Sequence, residues 1–329
     1  MIVNKIRTLA FVMAALSLVA GGLPGAHAQA YPDKPVRMIV PFGSGGVVDA
    51  LARVLALHLG ERLGQTVVVE FRPGGGGIVG TEAATRSQPD GYTVLLGSPE
   101  SYGMTYSMQK RLPYNPEKDL LPVAKVSFAP LCFAVHPSIA ANTVNELIAY
   151  ARANPGKLRF GSPGIGTNPH LTAEQLKSRF NIDLVHVPYK TGGAGIIDLI
   201  SGQIEMIVTG ANVAAPRMKA GQIRVLALTG SQRSPLMPEV PTMAEAGVPD
   251  FVMGALFGMF VPGGTPPHIA ARLARDVVAV SQMPKYRTQL AAIGQEVAEP
   301  LTDEAFGAYV KNEARRWREL AERAGVKDE

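Results

Sequence analysis

Residues 36–70 read VRMIVPFGSGGVVDALARVLALHLGERLGQTVVVE, and their order decides the fold. Val36, Met38, Ile39 and Val40 make an apolar run of strand length, PFGSGG (41–46) interrupts it, and Leu51, Val54, Leu55, Leu59 and Leu63 then recur at helical spacing. TVVVE (66–70) reads as a second strand. A strand, a Gly-rich turn and a helix in that order build an anion site. The first amides of a helix lack internal partners and lie at the positive end of its dipole.

The turn fits neither phosphate template. A Walker A loop needs a Lys after its glycines and none follows here, and Gly43, Gly45 and Val48 give G-x-G-x-x-V where a dinucleotide fingerprint needs a third glycine. Asp49 falls just inside the helix start and reads as a structural cap.

Working outward, the alternation continues. GGGGIVGTEAATRSQ (74–88) supplies a second Gly turn and a short helix, and GYTVLLG (91–97) a third strand. After PVAKVSFAPLCFAVHP (122–137) a second α/β set begins, with the T-x-x-E capping box of Thr143 and Glu146, strands LRFGS (158–162), DLVHVPY (183–189), IEMIV (204–208) and IRVLALTG (223–230), and helices between them. APRMKAG (215–221) reads as a single helical turn. The last third holds ALFGMFVP (255–262), QEVAE (295–299) and two long helical patterns, too few strands for a sheet of their own, so they complete the first sheet. The chain then crosses between two α/β units twice, near Val126 to Ala134 and near Met253 to Phe260, leaving a cleft where strand ends face each other. Small-residue loops after strands recur at 41–46, at Gly74 to Gly77, at Gly97-Ser98 and at Gly161 to Thr167. Together they suggest a polar cradle made largely of backbone amides.

At 329 residues, 47% hydrophobic and 18% charged, the chain is long enough for about two domains. Lys5 and Arg7, the apolar stretch Leu9 to Ala20 and Ala26-His27-Ala28 form a secretory signal cleaved near Ala28. Cleavage lowers the net charge from +5 to +3, and no basic block or aromatic-interleaved basic stripe suggests nucleic acid. The single cysteine, Cys132, reads as a small apolar core residue. No H-E-x-x-H occurs and His58, His136, His170, His186 and His268 are scattered, so no metal site is expected. Phe42 and Phe160 stand where a nucleophile elbow before Ser44 or Ser162 would need glycine. An exported α/β enzyme, the less favoured alternative, would need an acid/base pair drawn from Glu100, His170 or His186. His170 and His186 read as hydrogen-bonded structural residues.

YPDKPVRMIVPFGSGGVVDALAR (31–53), VVVEFRPGGGG (67–77), PDGYTVLLG (89–97), FGSPGIGTNPHLTAEQLK (160–177), VHVPYKTGGAGIIDLISGQIEMI (185–207), PEVPTMAEAG (238–247) and FGMFVPGGTPPHI (257–269) together resemble the Bug family, the solute-binding proteins of tripartite tricarboxylate transporters. The resemblance spans nearly the whole mature chain. It implies a type II periplasmic binding protein with two α/β lobes joined by two crossover strands and a ligand cleft between them. Lobe 1 would comprise 29–129 and 256–329, lobe 2 130–255, with 1–28 removed as signal. The implied function is capture of a small organic carboxylate by loop amides and hydroxyls, for delivery to permease subunits or, alternatively, to a membrane sensor. No cofactor, no reaction and a monomer are implied.

Carried over residue by residue, the resemblance places Phe42, Gly43, Ser44, Gly45, Gly46, Val47 and Val48, with Gly75, Gly76 and Ile78, around one ligand carboxylate, joined by Ser98. Ser162, Gly166, Thr167 and Asn168 would come from the opposite lobe. Phe71 stands where the family usually has Asn, Leu256 where an aromatic is common, and Val208-Thr209-Gly210 replaces a segment that carries an acid in amino-acid-binding relatives. Glu100 would replace that acid if it faced the cleft. With Thr209 in the acid's place, and if Phe71 and Leu256 line the pocket, a non-amino carboxylate, aromatic or short aliphatic, is expected.

Overall fold

The computed structural model describes residues 31–44, 47–99, 112–189 and 192–326. The chain divides into two units, Met1–Asp33 and Lys34–Glu329. Of the first only Tyr31 to Asp33 are described, with a cis Tyr31–Pro32 bond. The signal segment, Gly45, Gly46 and Glu100 lie outside the described residues.

In the second unit β1 (Val36–Val40), β2 (Val67–Phe71) and β3 (Thr93–Gly97) run parallel, with α1 (Val47–Leu63) and α2 (Ile78–Thr85) as crossovers. A short α3 (Pro116–Asp119) leads into β4 (Leu120–Val135), a single strand of 16 residues. There follow α4 (Val144–Ala153), β5 (Leu158–Ser162), α5 (Asn168–Phe180), β6 (Leu184–Pro188), α6 (Gly192–Ile200), β7 (Met206–Gly210), α7 (Ala211–Lys219) and β8 (Arg224–Leu228). The chain returns through β9 (Gly254–Pro262) and ends in α8 (Pro267–Ser281), α9 (Pro284–Ala292), β10 (Glu296–Val297) and α10 (Asp303–Arg323).

The strand path is β2-β1-β3-β9-β4-β7-β5-β6, with β8 and β10 also paired to β4. Strand β4 belongs to two sheets. Its first part, to Pro130, pairs antiparallel with β9, and its last part, from Leu131, pairs with β7 and β8. The returning segment therefore completes the first sheet. β9 inserts between β3 and β4, and β10 pairs with Ser127 and Phe128.

Register fixes where the strand ends point. Leu95 to Gly97 on β3 lie opposite Phe260 to Gly258 on β9, and that strand in turn meets β4 progressively closer to Pro130. On the other side, Met206 to Gly210 on β7 lie opposite Val135 to Leu131. Both sets of carboxyl ends converge on the Pro130–Leu131 junction.

Alternation along β4 builds the second core. Leu131, Phe133 and Val135 face one layer, with Leu147 of α4 and Leu171 of α5, while Cys132 and Ala134 face Ile196 and Leu199 of α6 and Ala214 of α7. Burial pushes the Cys132 thiol up to about 12, leaving it an inert core residue. The first core joins Ile39, Leu95, Leu256, Phe260 and Phe306. Leu256 is fully buried there, so it is no pocket wall and the expectation that it lines the ligand is corrected.

Two further departures from the sequence reading have physical causes. The single turn read at 215–221 is the end of a nine-residue helix, α7, with Pro216 inside it; the apolar Ala211, Ala214 and Ala215 on its buried face carry too weak a periodicity to see. Helix α10 spans both cores, Phe306 packing in the first and Trp317 and Ala321 in the second, where the sequence reading keeps 256–329 in lobe 1 alone.

Glu296 of β10 touches the second sheet at the junction. A methyl on Gly230, just past β8, would collide with Glu296 Oε1, and that oxygen is buried with no hydrogen-bond partner. Burial raises this carboxyl to about 7, against the lesser opposing effect of Ser231. The folded chain thus holds a proton that the unfolded chain releases near the ordinary carboxylate range, so this group's contribution to stability falls as pH rises from about 4.5 to about 7. Thermal melts should therefore show Glu296→Gln gaining on the wild type between about pH 5 and about pH 8. A constant difference between the two proteins would contradict the assignment.

Candidate functional site

The loops at the converging strand ends form two groups. In the first, Pro41 to Ser44 follow β1 and the 3-10 turn Gly75–Gly77 follows β2. Gly74 to Gly77 all have positive φ, from 56° to 138°, a conformation side chains rarely adopt. Gly75 and Gly76 open the turn ahead of its first bond, Gly77 N to Gly74 O at 3.0 Å.

The two loops lie against each other. A methyl on Gly80 would stand 2.6 Å from Pro41 Cα and 2.7 Å from the Arg72 carbonyl, and one on Gly77 3.8 Å from the Phe42 ring. Gly80 is thus the residue that lets the second loop close on the first, a role no motif marked. Ile78 is buried as the first residue of α2, Val48 is buried in α1, and Ser98 is buried just beyond β3. Phe42 is half-buried, and Gly43 and Ser44 are exposed. Asp49 sits in the first turn of α1, its carboxylate held by Arg53 one turn on at 2.6 Å, and the residues it would cap lie outside the described set. Phe71 meets the Arg53 guanidinium at 5.6 Å.

The second group is the loop from Ser162 to Thr167 and the start of α5. Thr167 Oγ1 donates to Gly164 O at 2.7 Å, and Ser162 Oγ lies 3.0 Å from Gly164 O and 3.2 Å from its amide. The Gly166 amide donates to His170 Nδ1 at 3.1 Å. Gly166 and the Ser162 hydroxyl, expected to meet the ligand, thus both have hydrogen-bond partners in the folded chain. The amides of Asn168 and His170 precede the first helical bond, Leu171 N to Thr167 O at 3.0 Å, and Pro169 between them has none. The Asn168 side chain donates to Gly254 O at 2.6 Å, tying this loop to β9 at the crossover. Thr209 is buried on β7, its carbonyl accepting from Cys132 Sγ at 3.4 Å.

Ser162 Oγ and His186 Nε2 lie 2.7 Å apart, the spacing of a nucleophile and its base. The pair is not poised for catalysis. Ser162 is buried with its hydroxyl shared with Gly164, and burial together with His170 and Lys177 lowers His186 to about 4, too weak a base at neutral pH. Among the described residues no group of three or more His, Cys, Asp or Glu could hold a metal, and no helix is long and apolar enough to cross a membrane.

The family model for the tripartite tricarboxylate transporter family receptor matches residues 51–326. The chain belongs to that family. Protein BugT of Bordetella pertussis (strain Tohama I) is 35% identical over 327 residues, covering 98% of this chain and 99% of the relative. Among solved structures, the periplasmic binding protein BugD is 33% identical with a TM-score of 0.74, covering 91% of this chain and 100% of that one. Rpa4515 of R. palustris, solved with adipate, is 31% identical with a TM-score of 0.77, covering 91% of this chain and 100% of that one. MatC from Rhodopseudomonas palustris, solved with bound malate, is 28% identical with a TM-score of 0.72, covering 88% and 100%. The fold is that of a type II periplasmic binding protein, two α/β lobes joined by crossover strands, and the family's members are periplasmic solute-binding proteins.

The contact between the first two loops gives a direct prediction. Gly80→Ala places a methyl against backbone on two sides and should destabilise the protein by about 1–3 kcal/mol, the cost of overpacking, measured as a lower midpoint of urea unfolding. An unchanged midpoint would show that the loops are not held in this contact.

Proposed function

We propose that this receptor captures a small organic carboxylate between the amides of Gly75 and Gly76 on one side of the crossover and those of Asn168 and His170 on the other. The observation that carries the reading is the register: both sets of strand ends, with their amide-rich loops, converge on the Pro130–Leu131 junction. Among the described residues from Lys34 onward, those up to 129 and from 256 to about the middle of α10 form lobe 1, and those from 130 to 255 with the end of α10 form lobe 2. Arg72, the one cation among the described residues of these loops, is paired with Glu70 at 2.5 Å, so amides do the work. Charge-assisted hydrogen bonds of this kind are worth about 1.5–3 kcal/mol each, and several suffice for tight binding without an Arg clamp.

The ligand is a non-amino carboxylate, with a dicarboxylate the favoured class. The relatives solved with adipate and malate support that class, and Thr209 offers no countercharge to an ammonium group. Contacts made to both lobes only when they close would drive closure. Cleavage near Ala28 would release a periplasmic monomer that hands its ligand to permease subunits; neither a reaction nor a cofactor is part of the proposal.

A calorimetry and thermal-shift screen over mono-, di- and tricarboxylates, amino acids and nucleotides tests this. Adipate or a related dicarboxylate at a hundredfold excess over Kd should stabilise the protein by about 2.7 kcal/mol. Stabilisation by a nucleotide or an amino acid with none by any carboxylate would overturn the reading.

A further inference from the structure

The loop from Ser162 to Thr167 is internally bonded at Gly164, which shapes the turn but does not seat it on the sheet. Besides the Tyr189 amide on Ser162 O and the Asn168 tie to Gly254 O, two bonds hold it against β6 and α5, and both end on histidine: Ser162 Oγ meets His186 Nε2 on β6 at 2.7 Å, and the Gly166 amide donates to His170 Nδ1 on α5 at 3.1 Å. The two imidazoles stack on each other, centroids 4.0 Å apart and planes 24° apart, and His186 stacks at 4.8 Å on the buried Phe160 ring. We infer that His170 and His186 are positioning residues, a stacked pair that sets the shape of the second-lobe ligand loop and the aim of the amides at the start of α5.

The hydrogen bond fixes the chemistry required. An amide donor at His170 Nδ1 needs a lone pair there, so the ring must be neutral with its proton on Nε2. Burial first, and Lys177 second, keep His170 neutral by lowering it to about 4, with Glu174 3.9 Å from Nε2 on the same helix. His186 is lowered likewise. A histidine that merely filled space would have no need of this tautomer, and an apolar side chain of similar volume would replace it.

The inference rests on the reading that this loop receives the ligand, and the test separates the two. In His170→Asn the amide oxygen stands close to the position of Nδ1 and restores an acceptor; in His170→Leu it is lost. With adipate as the probe, His170→Leu should weaken binding about tenfold or more, from a buried amide left unpaired, and His170→Asn should return to within about threefold of wild type. Equal loss in both variants, or none in either, would overturn the role. Long-range 15N–1H spectra of the unliganded wild type decide the matter without any ligand: His170 should be protonated on Nε2 alone, and a proton on Nδ1 would refute the inference. Failure of the wild type to bind adipate would count against the proposed function and leave this spectrum to judge the histidines.

Discussion

Everything in this architecture depends on one strand serving two sheets. β4 gives its first part to β9 and its last part to β7 and β8, and the change of partner at Pro130–Leu131 is locked by a buried knot. The Leu131 amide donates to Thr229 Oγ1 at 2.8 Å, the Thr229 amide donates to Leu131 O at 2.8 Å, and the Thr229 hydroxyl also reaches Leu131 O and Met253 O. Three chain segments meet at one threonine, where an unpaired buried group would be costly. Gly254 follows at once because a methyl there would stand 2.5 Å from both the Ala129 carbonyl and the Phe128 ring.

From that knot the site follows. The parallel strands on both sides run toward it, and the amide-rich turns at Gly75–Gly77 and at the start of α5 follow the ends of those strands. Asn168 links the second loop group to the crossover directly through Gly254 O. Helix α10 adds a constraint. With Phe306 in one core and Trp317 in the other, and with Arg316 donating to Val252 O at 2.9 Å, any closing motion must be taken up across a third connection besides β4 and β9.

Much of this was legible in the sequence. Strand–turn–helix order placed β1, α1 and β2, the shortage of strands in the last third sent β9 back to the first sheet, and the two crossings were visible as apolar runs. What the sequence hid is long-range pairing. His170 and His186 are 16 residues apart on different elements, and nothing in their local pattern says that their rings stack. Likewise the sequence does not show that the Gly166 amide donates to His170, nor that Leu256 lies on a buried strand face. The double membership of α10 was equally invisible, since an amphipathic stripe tells that a helix is buried and not against what.

The proposed mode of binding grips a carboxylate with amides from both sides of one shared strand. Diffraction from crystals grown with a stabilising dicarboxylate tests that most directly. It should show carboxylate oxygens at hydrogen-bonding distance, directly or through one water, from the Gly75 or Gly76 amide and from the Asn168 or His170 amide of the same molecule. A ligand held by one loop group alone in the closed protein, or bound away from the Pro130–Leu131 junction, would contradict it.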